Sequence, residues 1–259
     1  MKKFIVFLGL SFPAAFSAFF ASPIFGAGVP PRVDISYSIT SGALQGEVTD
    51  TLEIKKENGS RSYSIYSEGS AKGLLALTQP DNVVRDSEGT ITAKGVLRPA
   101  RFSDQHGKRL PKVAIFDWSK KSLTLQYKGR EEQRPLPADA QDRLSLPYSF
   151  MFSPIPGKVI QLHETDGKRV ELVRYAVGKE TLDTPMGKLE TIVLTKQLPK
   201  DANEDGNDGR DKKIWLAVDH HMLPVRIISH EKMGIVTDQM VTKISYGEQA
   251  DNVKQGRLQ

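Results

Sequence analysis

The segment KDANEDGNDGRDKK, residues 200–213, has the residue types and spacing of a calcium-binding loop. Calcium prefers hard oxygen ligands, and the pattern Asp-x-Asx-x-Asx-Gly places three of them at alternate positions before a sharp glycine turn. Gly206 occupies that glycine position. The candidate metal ligands are the side chains of Asp201, Asn203 and Asp205 and the backbone carbonyl of Asn207.

The same segment departs from the calcium pattern at its last position. Position 12, which normally holds a bidentate glutamate, is Lys212, and Asp211 stands one residue too early. Without that glutamate, the expected calcium affinity is no better than about 10⁻⁴ M, the range of weak extracellular sites. The alternative is a solvated hairpin tip, as loops rich in Asp, Asn and Gly usually are. The sequence favours this plain loop, so no cofactor other than weakly bound calcium is expected.

Sequence patterns of known enzyme classes are scarce. Neither a Gly-x-Ser-x-Gly elbow nor a phosphate-binding Gly-x4-Gly-Lys-Ser/Thr loop occurs. HETDG at His163 and HEKMG at His230 begin like zinc-protease helices, but Gly167 and Gly234 replace the second histidine. The absence of cysteine excludes thiolate catalysis and cysteine-ligated metals. We therefore predict a protein that is not an enzyme, although five histidines leave a composite metal site open.

The N-terminus has the layout of a secretory signal peptide. Met1-Lys2-Lys3 supplies a short positive region, Phe4 to Leu10 an apolar core, and small residues follow up to Ala27. Pro13 and these small residues fit cleavage better than a retained membrane helix. We expect residues 1–27 to be removed, which would leave a soluble periplasmic protein with no transmembrane segment. Such a protein does not normally meet nucleic acid.

Strand patterns run through most of the remaining chain. Val33 to Ile39 and Leu123 to Tyr127 alternate apolar and polar residues with a period of two, as half-buried strands require. Short turn signals such as Asn58-Gly59, Ser87 to Gly89 and Met186-Gly187 separate such runs, which favours antiparallel neighbours. The predicted fold class is mainly β, with a curved antiparallel sheet that forms a half-barrel or barrel-like structure.

The predicted domain organisation is simple. Residues 28–246 are expected to form one β-rich domain, in which residues 201–211 are an acidic loop insertion. The polar residues 247–259 are expected to form a flexible tail.

The segment ADAQDRLSLPYSFMFSPIPG, residues 138–157, breaks the strand pattern. Leu144, Tyr148, Met151 and Phe152 stand near helical spacing, and Asp139 is a candidate N-cap. The segment predicts a short helix between about Asp139 and Phe152 that packs against the sheet. Two uses of its apolar side are open. It packs onto the sheet, which we favour, or it lines a ligand cavity with Tyr148, Met151 and Phe152.

Positive charge is concentrated between Lys94 and Arg134, which contain eleven lysines and arginines against Asp104, Asp117, Glu131 and Glu132. In an exported protein, such a surface would meet anionic components of the cell envelope. The alternative, which we favour, is that these residues only occupy the solvated face of strands.

Four segments of the chain, in sequence order, resemble a known family: GVLRPARFSDQHGK…VAIFDW, AQDRLSLPYSFMFSPIPG, VGKETLDTPMGKLETIVL and IWLAVDHHMLPVRIISHEKMG. Over about residues 32–246 the chain is similar to exported bacterial proteins known only as domain of unknown function 3108. This resemblance implies a periplasmic, mainly β protein and assigns no catalytic residue. The last segment also resembles the closing hairpins of lipoprotein carriers of the LolA/LolB type, which fold a curved antiparallel sheet around an apolar cavity for acyl chains.

Two classes of function follow from these observations. The first, which we favour, is a non-catalytic binding or carrier module for a lipid-like or amphipathic ligand of the cell envelope. The second is an accessory protein of envelope assembly that acts through protein–protein contacts. The first class predicts an apolar cavity and lipid retained on purification, whereas the second predicts a core filled by the protein's own side chains.

Overall fold

The computed structural model describes residues 28–42, 44–72, 82–197, 211–230 and 235–247. The first half of the chain is a series of eight strands in which each strand pairs with the next in antiparallel orientation. These strands are β1 (Arg32–Ser41), β2 (Leu44–Glu57), β3 (Ser60–Ala71), β4 (Val83–Ile91), β5 (Leu97–His106), β6 (Lys112–Asp117), β7 (Ser122–Tyr127) and β8 (Arg130–Pro135).

The second half begins with a short strand and a short helix and then returns to long antiparallel strands. Its elements are β9 (Ala140–Asp142), α1 (Ser145–Ser149), β10 (Val159–Thr165), β11 (Val170–Thr184), β12 (Gly187–Gln197), β13 (Lys212–Ala217), β14 (Leu223–His230) and β15 (Val236–Gly247). A single 3-10 turn, Val218–His220, joins β13 to β14.

All fifteen strands belong to one curved sheet that does not close. Its order is β8-β7-β6-β5-β4-β3-β2-β1-β15-β14-β13-β12-β11-β10-β9, so the pairing of β1 with β15 joins the two halves. The predicted fold class is therefore confirmed. One pair departs from the antiparallel rule, because β9 runs parallel to β10.

Alternation of apolar and polar residues explains why these segments form strands. In β1, Val33, Ile35 and Tyr37 are buried and alternate with more exposed residues, as a sheet with one buried face requires. The predicted turn at Ser87 to Gly89 is wrong, because these residues lie inside β4. The register with β5 shifts between Glu88 and Gly89, so the glycine marks a bulge rather than the end of a strand.

The predicted helix between about Asp139 and Phe152 is shorter than expected, because Ala140–Asp142 form strand β9 and the helix spans only Ser145–Ser149. It packs against the sheet as predicted.

Helix α1 contributes to both hydrophobic clusters of the interior. Tyr148 and the following Met151 belong to the larger cluster, which the strands of the first half dominate. Leu146 and Phe150 belong to a smaller cluster with residues of β10 to β14. The helix therefore contacts both halves of the sheet, β5 in the first half and β9 and β14 in the second.

The start of α1 is held by Asp142 and not by the predicted cap, Asp139. Asp142 Oδ1 accepts the backbone N–H groups of Leu144 at 2.9 Å and Ser145 at 2.7 Å. Its other oxygen accepts the hydroxyl of Ser87 in β4 at 2.7 Å, which ties the helix to the opposite wall of the interior. Asp139 instead lies 2.6 Å from Nδ1 of His163.

The turn between β4 and β5 contacts the segment that follows α1, and two glycines allow this contact to be tested. Gly95 has φ +79°, and a Cβ there would collide with the carbonyl of Phe152. Gly59, in the β2–β3 turn, has φ +80°, but its Cβ would meet nothing within 4 Å. We expect Gly59→Ala to lower the free energy of unfolding by the left-handed strain alone, about 1–2 kcal/mol.

Gly95→Ala should lower the free energy of unfolding by clearly more, because the Phe152 carbonyl must move as well. Urea unfolding of the two variants measures the difference. Equal losses would mean that the segment after α1 does not lie against this turn.

Candidate ligand-binding site

The inner face of the sheet lacks large side chains at one end of strands β1 to β3. Ile39 in β1 is paired with Gly46 in β2, which is paired in turn with Ala71 in β3. One position further along the same face, Gly69 lies opposite Val48. Residues directly opposite each other in an antiparallel pair share a face, so the two glycines and the alanine leave a gap that spans two adjacent rows of this face.

Gly46 is required by the close approach of its neighbours. A Cβ at this position would collide with the carbonyl oxygen of Ser70 and would lie 3.1 Å from Cγ2 of Ile39. A larger residue at position 46 would therefore push β2 and β3 apart. The gap is thus built into the pairing of these strands.

A cavity of about 560 Å³ occupies this end of the inner face. Its size lies within the range of small-molecule sites, roughly 300–1,000 Å³. The apolar part of its wall carries Ile39, Leu44, Val48, Ala71 and Val83. Polar groups are added by Ser41, Gln45, Ser70, Arg85, His106 and Arg109.

A second cavity, also of about 560 Å³, shares His106 and Arg109 with the first. Its remaining lining residues come from β5 to β7, the β5–β6 turn and the β7–β8 turn: Asp104, Leu110, Lys112, Tyr127 and Lys128. The two cavities together combine an apolar wall on β1 to β4 with a cationic wall on β5 to β7. We refer to them below as the apolar cavity and the basic cavity.

Asp104 is the acidic residue of the basic cavity, and the side chains of Arg85, Lys112 and His106 surround it. Its Oδ1 is 2.9 Å from Nε of Arg85 and 3.1 Å from Nε2 of His106, and its Oδ2 accepts from Nζ of Lys112 at 2.7 Å. Burial acts to raise the pKa of Asp104, but His106, Arg85 and Lys112 together hold it far below its usual value. The carboxylate is therefore charged at neutral pH and already fully engaged.

A second buried carboxylate, Asp50, lies in β2, where it is paired with Ile35 of β1 and Ser67 of β3. Tyr148 of α1 donates its hydroxyl to Asp50 Oδ2 at 2.6 Å, whereas Oδ1 has no hydrogen-bond partner among the described residues. Burial raises the pKa of Asp50, although the hydroxyls of Ser67 and Tyr148 oppose the change. Tyr37 donates to the carbonyl of Pro224 at 2.8 Å, which links the same layer to β14.

Glu164 forms the corresponding polar cluster in the second half of the sheet. Its Oε1 is 3.2 Å from Nζ of Lys212, and its Oε2 accepts the hydroxyl of Tyr175 at 2.7 Å. Burial acts to raise the pKa of Glu164, but the charges of Lys212 and Lys196 and the hydroxyl of Tyr175 lower it to about 2. This cluster holds β10, β11 and β13 together and lines neither of the two cavities.

The three predicted ligand-binding residues lie in the packed interior. Tyr148, Met151 and Phe152 are 1%, 2% and 4% exposed and belong to the larger hydrophobic cluster. None of them lines the apolar or the basic cavity. These three side chains therefore pack into the hydrophobic core around α1, and their role in ligand binding stays a prediction.

The predicted metal ligands Asp201, Asn203, Asp205 and Asn207 lie outside the described residues. Within the ranges that the structure does describe, no three His, Asp or Glu side chains converge as a metal site. His163 lies in strand β10 rather than on a helix, so HETDG is not a zinc-protease motif. Neither α1 nor the 3-10 turn has the length and apolarity of a membrane-spanning helix.

Sequence patterns alone did not identify the residues of the apolar cavity. Gly46, Gly69 and Ala71 carry no distinctive motif, and their importance appears only when β2 and β3 are paired in register. The basic segment between Lys94 and Arg134 did carry a signal. Arg109, Lys112 and Lys128 of that segment line the basic cavity, whereas others occupy solvated positions.

Comparison with known proteins places the chain in a family and a fold. The family model described as "Protein of unknown function (DUF3108)" matches residues 33–241. No curated protein matches the chain. The crystal structure of a β-barrel-like protein of domain of unknown function DUF1849 from Brucella abortus has a TM-score of 0.50 at 10% identity, covering 85% of this chain and 99% of that one. A DUF1329 family protein from Desulfovibrio piger aligns at 12% identity, 84% and 86% coverage, and a TM-score of 0.27.

We expect replacement of the buried carboxylates Glu164 and Asp50 by neutral amides to change the free energy of unfolding in opposite directions. Glu164 has a lowered pKa, so its contribution is present above its ordinary value of 4.5 and is lost as the pH falls towards about 2. Glu164→Gln should therefore lower the free energy of unfolding at neutral pH, by roughly 1–3 kcal/mol, because Lys212 loses its partner. This deficit should shrink as the pH falls below 4.5.

Asp50 has a raised pKa, so its contribution is present below its ordinary value of 3.8 and is lost as the pH rises. Asp50→Asn should therefore raise the free energy of unfolding at neutral pH, and the gain should shrink in acid. Urea unfolding of both variants over this pH range measures the two effects. Effects of the same sign at neutral pH would contradict the assigned environments.

Proposed function

This chain belongs to the DUF3108 family, and we propose that it is a non-catalytic binding or carrier protein for an amphipathic ligand of the cell envelope. The observation that carries the proposal is the apolar cavity at one end of the inner face, next to a basic cavity that shares two residues with it. An apolar wall beside charged groups is complementary to a molecule that has both kinds of surface.

The apolar cavity offers the energy that such binding needs. Transfer of a methylene group from water to an apolar environment contributes about 0.8 kcal/mol, so even a short alkyl segment gains several kcal/mol. Ile39, Val48 and Val83 supply aliphatic surface on three strands. An apolar concavity with a few convergent polar groups is the common form of a small-molecule site.

The proposed location and role are consistent with the sequence. The leader-like N-terminus supports export to the periplasm, where amphipathic envelope components are the abundant ligands. The resemblance of the β13–β14 hairpin to lipoprotein carriers of the LolA/LolB type supports an acyl chain as the apolar part of the ligand. No group of metal-ligating side chains within the described ranges favours a catalytic role instead.

Displacement of a fluorescent fatty acid tests this function. We expect saturable binding to the unmodified protein, and Ala71→Trp should weaken it at least about ten-fold because the indole fills the apolar cavity. Ser64→Trp is the matched control, since Ser64 lies on the same strand but points to the exposed face. Both variants should keep the circular dichroism spectrum of the parent.

Two results would contradict the proposal. Absence of saturable binding by the unmodified protein would favour the accessory role through protein–protein contacts. Binding that is unchanged in Ala71→Trp would place the ligand away from the apolar cavity.

A further inference from the structure

The basic cavity carries more positive than negative charge. Across the two cavities, the lining residues include four arginines and lysines, Arg85, Arg109, Lys112 and Lys128, but a single carboxylate, Asp104. Asp104 already engages Arg85 and Lys112. The positive charges that no lining carboxylate compensates are therefore mainly those of Arg109 and Lys128.

Neither Arg109 nor Lys128 forms an ion pair with a carboxylate among the described residues. The Lys128 ammonium lies 5.4 Å from the centre of the Tyr127 ring, and the Lys168 ammonium lies 5.1 Å from the same centre. Two ammonium groups therefore lie near one aromatic ring, and Arg109, which lines the same cavity, has no carboxylate partner in the part of the chain that the structure describes. A bound anion would lower the electrostatic energy of such a group of cations.

Arg109 also lines the apolar cavity, together with His106. A ligand group that binds these two residues therefore stands at the junction of the two cavities. From that position, an attached alkyl chain meets the aliphatic wall of Ile39, Val48 and Val83. Because the two cavities share these residues, one molecule can contact both the charged wall and the apolar wall.

We propose that the ligand is an amphiphile with a compact anionic head group, a carboxylate or a phosphate, which binds Arg109 and Lys128 while its alkyl chain occupies the apolar cavity. This inference rests on the proposed function and adds the charge class of the ligand. Hydrogen bonds between charged partners are stronger than neutral ones, so an anionic head group gains affinity over a neutral one. Because Lys128 and Arg109 are exposed, electrostatic screening by salt should reduce the affinity that the anionic head group adds.

Four probes separate the contribution of the head group from that of the chain: an alkyl carboxylate, the monoalkyl phosphate and the alcohol of the same chain length, and inorganic phosphate. Calorimetry at low salt measures their affinities for the full chain. We expect the two anionic amphiphiles to bind at least about ten-fold more tightly than the alcohol. Inorganic phosphate should bind far more weakly than the monoalkyl phosphate.

The double variant Arg109→Gln/Lys128→Gln tests the assigned residues. It should reduce the preference for the anionic probes over the alcohol to about three-fold or less. The matched control is Lys120→Gln/Lys121→Gln, which removes two positive charges at the β6–β7 turn, the opposite end of these strands. The control should keep the full preference.

Each other outcome has a definite meaning. Equal affinities for the acid and the alcohol would overturn the anionic head group but leave the binding function intact. Failure of all three amphiphiles to bind would overturn both. Inorganic phosphate that binds as tightly as the monoalkyl phosphate would overturn the joint use of the two cavities, and a preference retained in the double variant would overturn the assignment of Arg109 and Lys128.

Discussion

The cavity depends on one constraint, the register in which β2 pairs with β3. This register sets Gly46 opposite Ala71 and Val48 opposite Gly69, so small residues coincide on the inner face. A shift of one residue would turn every side chain of a strand to the other face. A Cβ at position 46 would collide with the Ser70 carbonyl, so glycine is what allows the two strands to approach this closely. The same pairing that builds the sheet therefore also builds the gap in its interior.

In contrast to this gap, the hydrophobic core is filled in part by side chains of α1. The helix contacts both halves of the sheet and is held there by hydrogen bonds. Asp142 accepts hydrogen bonds from the first turn of α1 and from Ser87 of β4, and Tyr148 donates to Asp50 of β2. Buried polar groups are costly unless they are paired in this way. These bonds fasten the helix to β2 and β4, two of the strands that also line the apolar cavity.

The alternation of residues in the sequence predicted the strands, the single curved sheet and the helical segment, since these depend on local patterns. It did not predict which residues line the apolar cavity, because the register between two strands cannot be read from the sequence of either strand alone. The cap of α1 was misplaced at Asp139 for a similar reason: Asp142 is chosen by backbone geometry and by Ser87, a residue far away in sequence. The helical periodicity placed Tyr148 and Met151 on an apolar face but did not say that the face meets a packed core.

The proposed role requires that the hollow end of the inner face holds the alkyl chain of an amphiphile. Nuclear Overhauser contacts between an alkyl carboxylate and methyl-labelled protein test this requirement most directly. We predict contacts from the chain methylenes to the methyl groups of Ile39, Val48 and Val83, and none to Leu162 in the smaller hydrophobic cluster. Contacts centred on Met151 beside the helix instead, or no contacts at saturating ligand, would contradict it.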